Sequence, residues 1–299
     1  MPFATQLQQL SPESLARLQG HLVEAGKVLV PTSLDKVTFN INRDAGAARL
    51  GIQLDTSNPW PSVFMNTLPK SGSLFCRGLL LEQLELRHVR LAGGYFPADT
   101  LFEAPLSVFH HGGAFAQEHV PATTINLELL NRHLERIVIH VRDPRQATIS
   151  WVHHLERLRT SEREQHALRL VDPPLPEDYF DRDFEARVQW NLDHHLTACV
   201  DWLEGWRLAA TRPQRRLKIH FSEFRVMKSE PERFFAELFD FHGIDCPDFR
   251  VREANPDMSK EHFRKGRTNE WREVLTPTQV EQANAAMTDG LCERFGWER

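Results

Sequence analysis

Residues Val63 to Leu86, VFMNTLPKSGSLFCRGLLLEQLEL, decide the fold of this chain. They run from an apolar segment through a tight polar loop, PKSGS, into a leucine-rich amphipathic segment. This order predicts a buried strand, an anion-binding loop and a helix. The loop would bring backbone N–H groups, hydroxyls and one ammonium to the positive end of a helix dipole. A phosphate group is the expected ligand.

Two later apolar runs resemble the first, IVIHV at 137–141 and LKIHF at 217–221. Strands that alternate with helical patterns predict an α/β fold, a central parallel sheet flanked by helices. Ligands of such sheets bind at the carboxyl ends of the strands. The PKSGS loop, Arg142 and the segment after Phe221 all fall there, so we expect one site at that edge.

Composition narrows the class of protein. The chain has 299 residues, 41% of them apolar and 26% charged, which is enough to bury a full core. Its net charge of −5 excludes a global basic field, so neither nucleic acid nor a membrane is an expected partner. No apolar stretch is long enough to span a membrane, and MPFATQLQQL does not have the pattern of a signal peptide. We expect a cytoplasmic protein.

The four cysteines are far apart and form no CxxC pair. Three of them lie in apolar surroundings that suit buried thiols, which favours a reducing compartment. The paired histidines at 110–111, 153–154 and 194–195 do not predict a metal site, because adjacent helical residues point about 100° apart. No metal is expected.

Residues 1–60 are expected to pack on a main domain of residues 61–299, so that the chain forms one structural domain overall. Ser11 and Pro12 begin a predicted helix, and alternating apolar residues around Phe39 and Leu50 predict a β-hairpin. The charged, proline-containing stretch 159–183 predicts a long loop that could cover a site. The stretch 184–208 predicts a helix whose tryptophans pack in the core.

A second motif, RDPRQATIS, follows the run at 137–141. Asp143 is a predicted helix N-cap, Pro144 suits the first helical position, and Gln146 has the spacing of a capping box. Arg142 then lies at the strand end. Ser150 follows about two helical turns later, so the two side chains could reach one anion. A surface arginine and an ordinary helical serine are the alternative.

A third motif is HFRKGRTNEW at residues 262–271. Arg264 and Lys265 place two cations beside Gly266, which lets the backbone approach a ligand closely. Each motif alone is weak, since a basic loop or a Ser/Gly turn is often only solvated. PKSGS is not a Walker A motif, because no GxxxxGK precedes its hydroxyl residue.

PKSGS, RDPRQATIS and RKGRTNEW, in this order over roughly residues 60–275, resemble the motifs of sulfotransferases that use 3'-phosphoadenosine 5'-phosphosulfate (PAPS). The resemblance implies a P-loop nucleotide-hydrolase-like fold with PAPS as co-substrate. The 5'-phosphosulfate would be held by Lys70, Ser71, Gly72 and Ser73, with Leu74 beside them in the cofactor-binding site. The 3'-phosphate would be held by Arg142, Ser150, Arg264, Lys265 and Gly266. The adenine would lie near Phe75 and Phe221.

The same resemblance implies the catalytic groups. His119, in the segment QEHVP, matches a histidine that acts as general base, and Lys70 would stabilise charge on the departing phosphate. His111 and His110 are the next candidates for the base. The chain departs from the family pattern in having Gln117 where a lysine is usual. It also has Leu74 in place of a frequent hydroxyl residue.

Two further departures concern the rest of the donor site. Phe221 and Glu223 replace a tyrosine-acidic segment, and Asn269 and Glu270 replace Gly and Asp before Trp271.

The expected acceptor is a hydroxyl or an amine of a small molecule, whose identity the sequence leaves open, and a homo-oligomer is possible. The rival functions are a nucleotide-dependent small-molecule kinase and an adenine-nucleotide-binding module without catalysis. The kinase would need Mg²⁺ ligands that the sequence does not display.

Overall fold

The computed structural model describes residues 58–162, 164–213, 216–252 and 268–299, together with the strands at 39–41 and 48–50. Its contacts divide the chain into two units, Met1–Gln53 and Leu54–Arg299. In the first unit, β1 (Phe39–Ile41) pairs antiparallel with β2 (Ala48–Leu50), as the alternating pattern predicted. The helix predicted from Ser11 lies outside the described residues. The packing of residues 1–60 on the main domain stays a prediction.

A five-stranded sheet with the order β4-β7-β3-β8-β9 forms the centre of the second unit, and all its pairs are parallel. This confirms the predicted α/β class and the central parallel sheet. A separate antiparallel pair, β5 and β6, lies between β4 and β7 in the chain. The strands are β3 (Val63–Thr67), β4 (Arg87–Val89), β5 (Ala92–Gly93), β6 (Thr100–Leu101), β7 (Ala114–Glu118), β8 (Arg136–Val141) and β9 (Lys218–Glu223).

Helices follow the strands. They are α1 (Ser73–Gln83), α2 (Glu103–Phe109), α3 (Thr124–His133), α4 (Pro144–Thr160), α5 (Phe184–Asn191), α6 (Thr197–Thr211), α7 (Phe224–Ser229), α8 (Pro231–His242), α9 (Trp271–Val274), α10 (Pro277–Ala286) and α11 (Asp289–Phe295). In the described part of the chain, none is long and apolar enough to cross a membrane.

Strand β3 is buried along its whole length because both faces of the sheet are covered. Val63 and Met65 pack with α1 and α8 in one apolar cluster. Phe64 points to the opposite face, where its ring meets Phe109 of α2 edge-on with 6.2 Å between centroids. A strand buried on two faces needs a continuous apolar run, which is why VFMNT does not alternate.

The helix predicted over 184–208 is continuous but contains a π-helical segment, Leu192–Leu196, between α5 and α6. Its tryptophans are buried as predicted, with Trp202 2% and Trp206 0% exposed. Such π segments are rare and often occur at functional sites, because they re-aim side chains relative to a regular helix.

The stretch 159–183 is irregular as predicted, yet it is not a solvated loop. It contains a 3₁₀ helix, Gln165–Leu170, and buries Val171 and Tyr179 against Trp151 of α4. We call residues 161–183 the strap. It covers the aromatic side of α4.

Two local predictions were wrong. Asp143 does cap α4, by accepting from the Arg145 amide at 2.9 Å, but Gln146 does not close a capping box. Its side chain instead accepts from the Trp271 amide at 3.3 Å, because α9 packs on the start of α4. Of the four cysteines, two are fully buried, Cys76 and Cys199, rather than three.

Candidate functional site

The loop after β3 turns sharply into α1 through two residues with positive φ, Lys70 at 65° and Gly72 at 81°. A Cβ at Gly72 would lie 2.8 Å from the ring of Phe224 and 2.9 Å from Met227 Cε. Glycine is required here both for the left-handed backbone and for this close approach.

Strand β8 holds this loop at three points. The Leu68 amide donates to the His140 carbonyl at 2.9 Å, and Arg142 Nη1 donates to the Lys70 carbonyl at 2.6 Å. Between them, His140 Nε2 lies 2.9 Å from the Ser71 carbonyl. The loop and the second motif therefore meet at one edge of the sheet, as the sequence predicted.

His140 is completely buried and links three segments of the chain. Its Nε2 must donate to Ser71, because a carbonyl only accepts, so Nδ1 accepts from the Ser222 hydroxyl at 2.9 Å. Burial lowers the pKa of His140 to about 4, so the ring is neutral near pH 7. The sequence analysis did not single out this residue. A histidine inside the buried run IVIHV was the available signal.

The loop has the features of an anion cradle. Gly72 is the N-cap of the 11-residue helix α1 and supplies no side-chain cap. Among the described residues, the amides of Gly72, Ser73 and Leu74 donate to no main-chain carbonyl. The buried Ser71 hydroxyl also has no partner there. Unfilled N–H groups at a helix start and an orphaned hydroxyl fit a phosphate or sulfate ligand.

Arg142 is 7% exposed and lies over the ring of Phe224, with 4.1 Å between Cζ and the ring centroid. Its partner of the second motif, Ser150, is partly exposed on α4, and no hydrogen bond joins the two side chains. Arg264, Lys265 and Gly266 lie outside the described residues. The chain is described again from residue 268.

The last residues of the third motif are anchored at the start of α4. Glu270 and Trp271 are 4% and 1% exposed, and the Arg145 guanidinium lies 4.0 Å from the Trp271 ring centroid. Because α4 begins where β8 ends, this anchor lies at the same edge of the sheet as the loop.

His119 directly follows β7 and is partly exposed. Its Nδ1 lies 2.5 Å from the Thr67 carbonyl, so Nδ1 carries the proton and Nε2 is the basic nitrogen. No described residue bonds to Nε2. Burial, then the charges of Arg90 and Lys70, lower the pKa of His119 to about 4. The ring is a neutral acceptor near pH 7, poised beside the loop.

Buried donors fix the main chain around His119. Trp202 Nε1 donates to the His119 carbonyl at 3.1 Å and to the Val120 carbonyl at 2.9 Å. Trp206 Nε1 also donates to the Val120 carbonyl, at 2.9 Å. Asn66, a polar residue inside the buried strand β3, exchanges two hydrogen bonds of 2.9 Å with the Val120 backbone. These tryptophans thus position the histidine in addition to filling the core.

The alternative bases His110 and His111 are exposed and precede β7, whereas His119 follows it. In a parallel sheet the two ends of a strand lie at opposite edges. A five-residue strand separates them by about 16 Å. His110 and His111 are therefore on the edge away from the loop.

Glu118, beside His119, is 1% exposed and accepts from the Leu91 amide at 2.6 Å. Burial raises its pKa to about 7, although Arg90 lies 3.2 Å away and opposes that shift. By contacting Arg90 and the Leu91 amide, the Glu118 carboxyl group holds these two residues in place. The charge of Arg90 is in turn one of the causes that lower the pKa of His119.

The residues expected near adenine pack within the protein. Phe75 is partly buried on α1, with its ring 6.2 Å from that of Phe235. Phe221 contacts Phe295 edge-on at 5.6 Å, and Leu74 is partly exposed in the first turn of α1. In the described ranges, no group of three His, Cys, Asp or Glu side chains is arranged to hold a metal ion.

Comparison with known proteins adds three findings. A family model described as a sulfotransferase domain matches residues 111–294, more than half of the chain. The crystal structure of mouse sulfotransferase SULT7A1 complexed with PAP matches with a TM-score of 0.53 and 16% identity, over 77% of this chain and 84% of that one. Retinol dehydratase in complex with androsterone and inactive cofactor PAP matches with a TM-score of 0.50 and 16% identity, over 79% and 82%. No curated protein sequence matches the chain.

Proposed function

The chain belongs to the sulfotransferase domain family, and we propose that it transfers a sulfuryl group from PAPS to a hydroxyl or amine group of a small-molecule acceptor. The observation that carries the proposal is the pairing of an anion cradle, Lys70 to Leu74, with a neutral histidine, His119, at one edge of the sheet. PAP, which is adenosine 3',5'-bisphosphate, is bound in both solved structures named above. It is the product that PAPS leaves after transfer.

When bound, PAPS supplies a sulfuryl group with a phosphate as leaving group. Ser71, Gly72 and Ser73 present the cradle that suits its 5' end, and Lys70 neutralises the charge that develops on the phosphate. Nε2 of His119 accepts the proton of the acceptor hydroxyl as its oxygen attacks sulfur. The new S–O bond forms while the sulfur–phosphate oxygen bond breaks, so the proton ends on His119 and the charge beside Lys70.

The second anionic end of PAPS, the 3'-phosphate, is assigned to Arg142 and Ser150, with Arg264, Lys265 and Gly266 completing the set. Burial of Arg142 at the strand end supports this assignment, because a guanidinium at 7% exposure suits a bidentate phosphate contact. The anchoring of Glu270 on Gln146 brings the chain close to α4 six residues after Arg264. Phe75 remains the proposed neighbour of adenine, with Phe221 as a second candidate.

A melting-temperature comparison tests the donor. PAP should raise the melting temperature by several degrees more than ADP, because only PAP has the 3'-phosphate that Arg142 would bind. ATP with Mg²⁺ serves as the third arm, since a kinase would be stabilised by it. Equal stabilisation by PAP and ADP would contradict the assigned donor. Incubation of a metabolite pool with PAPS, followed by mass spectrometry for SO3 addition, then tests transfer.

Two substitutions test the chemistry. His119→Ala should lower kcat by about 10²- to 10⁴-fold through loss of the base. Lys70→Ala should lower kcat by about 10²- to 10³-fold through loss of leaving-group stabilisation. His111→Ala is the matched control, since that histidine lies at the opposite edge. Full activity in His119→Ala, or a comparable loss in His111→Ala, would contradict the assigned base.

The pH profile gives an independent readout. The profile of kcat/KM reports the free enzyme, in which the pKa of His119 is about 4. Its acid limb should therefore fall near pH 4 rather than near 6.5. An acid limb at 6.5 in the wild-type protein would indicate a solvated base elsewhere.

A further inference from the structure

A small cavity lies between α4, the π-helical segment and the strap. Its volume is about 10 Å³, room for a single water molecule. Half of its eight lining residues are Tyr, Phe or Trp: Tyr95, Phe96, Trp151 and Trp190. One titratable side chain on the helix side, His195, lines it as well.

His195 is 6% exposed and held in place by three neighbours. It stacks on Trp151 with 4.7 Å between ring centroids and 6° between planes, and it meets Phe96 edge-on at 5.7 Å. Its Nε2 lies 3.4 Å from Cys199 Sγ. Within the described part of the chain, Nδ1 has no hydrogen-bond partner.

The surroundings keep both the imidazole and its ligand uncharged. Burial, then the charge of Lys70, lower the pKa of His195 to about 3, so the ring is neutral. Lys70 disfavours a cation in the cavity, and Asp172, which lines its strap side, disfavours an anion.

We propose that His195 binds a second hydroxyl group of the acceptor, distinct from the hydroxyl that is sulfated beside His119. This inference rests on the proposed function. A hydroxyl both donates and accepts, so it matches Nδ1 in either tautomer. It also has the size of the single water molecule for which the cavity has room. His195 is thus a specificity residue that selects acceptors with a second hydroxyl group.

An adjoining cleft has room for the rest of such an acceptor. The cleft has a volume of about 420 Å³ and shares Asp172 and Ala198 with the cavity. Its lining includes Pro121 and Trp202, and Trp202 donates to the His119 carbonyl. A ligand in this cleft therefore lies between the His195 cavity and the segment that bears His119. Its volume is in the range of small-molecule sites.

The test compares 2,6-dihydroxynaphthalene with 2-naphthol, which lacks the second hydroxyl. With PAPS as donor, the wild-type protein should prefer the diol in kcat/KM by about tenfold, the value of one hydrogen bond to a neutral group. His195→Phe keeps a flat ring on Trp151 and should abolish that preference, by lowering kcat/KM for the diol about tenfold relative to kcat/KM for 2-naphthol. His195→Gln, which restores a donor and an acceptor, should recover part of it. His111→Phe is the control.

Binding measured by calorimetry without donor gives a readout that does not need turnover. The diol should bind the wild-type protein about tenfold more tightly than it binds His195→Phe. No preference for the diol in the wild-type protein, or an undiminished preference in His195→Phe, overturns the inference. If PAP does not bind while the affinity for the diol still depends on His195, the donor assignment is wrong and the assignment of the His195 site is retained.

Discussion

Gly72→Ala is the substitution whose cost the structure defines best. Two separate penalties arise at this position. Alanine at a φ of 81° costs about 1 kcal/mol, and forcing a methyl group into a filled space costs about 1–3 kcal/mol more. The new Cβ would lie 2.8 Å from Phe224 Cε2 and 2.9 Å from Met227 Cε. The methionine end can move aside, but the phenylalanine ring is held against the Arg142 guanidinium.

Gly243→Ala separates the two penalties. Gly243 has a similar φ of 71°, and a Cβ there meets nothing within 4 Å. It should cost only the backbone term, about 1 kcal/mol, against about 3 kcal/mol for Gly72→Ala. Urea unfolding at pH 7 measures both. PAP affinity by calorimetry should fall at least tenfold in Gly72→Ala and stay unchanged in Gly243→Ala, because only the first change displaces the anion cradle.

A second substitution identifies the clashing group. Phe224→Leu removes the ring edge, so it should cost less stability in the Gly72→Ala background than in the wild-type protein, with a coupling of about 1–2 kcal/mol. The reasoning fails if Gly72→Ala is no less stable than Gly243→Ala and binds PAP normally. It also fails if Phe224→Leu and Gly72→Ala act additively.

Three further predictions follow from the same contacts. Arg142→Lys keeps the charge but not the planar fork, so PAP affinity by calorimetry should fall about tenfold, and unchanged affinity would contradict this. The folded pKa of His140 is lowered to about 4, so its protonation favours unfolding as pH falls below 6.5. Between pH 7 and pH 5, urea unfolding of His140→Gln should show a loss of stability about 2 kcal/mol smaller than that of the wild-type protein, because the other histidines of lowered pKa, such as His119 and His195, contribute to both losses. Trp202→Phe should lower stability by about 1–2 kcal/mol and also lower kcat, because the His119 carbonyl loses its donor. Trp206→Phe, whose acceptor keeps other donors, should affect kcat less; equal effects would refute the positioning role.

The sheet was predictable because its strands are buried on both faces. The run VFMNT gave β3 with the observed bounds, Val63–Thr67, and IVIHV gave β8 to within one residue. For strand β9, the observed bounds, Lys218–Glu223, differ from the predicted ones, 217–221. The reason is that β9 is the outermost strand of the sheet and is only partly buried. Edge strands lack the continuous apolar run that marks a central strand.

Contacts between distant segments were not predictable from local patterns. Gln146 has the spacing of a capping box, but packing of α9 on α4 redirects its side chain to the Trp271 amide. His140 and Asn66 looked like interruptions of apolar strands. Both prove to be hydrogen-bonded positions that hold the loop and the His119 segment. A local pattern specifies which groups need partners, and only the fold supplies those partners.

The sequence by itself determined the α/β class, the anion-binding loop and the sulfotransferase family, because these depend on short motifs whose chemistry is local. The tertiary structure decided which histidine lies beside the loop, since His110 and His119 lie at opposite ends of β7. It also decided the protonation of His119. The low pKa of His119 arises from burial and from the charges of Arg90 and Lys70, residues far apart in the chain that meet only when the sheet forms.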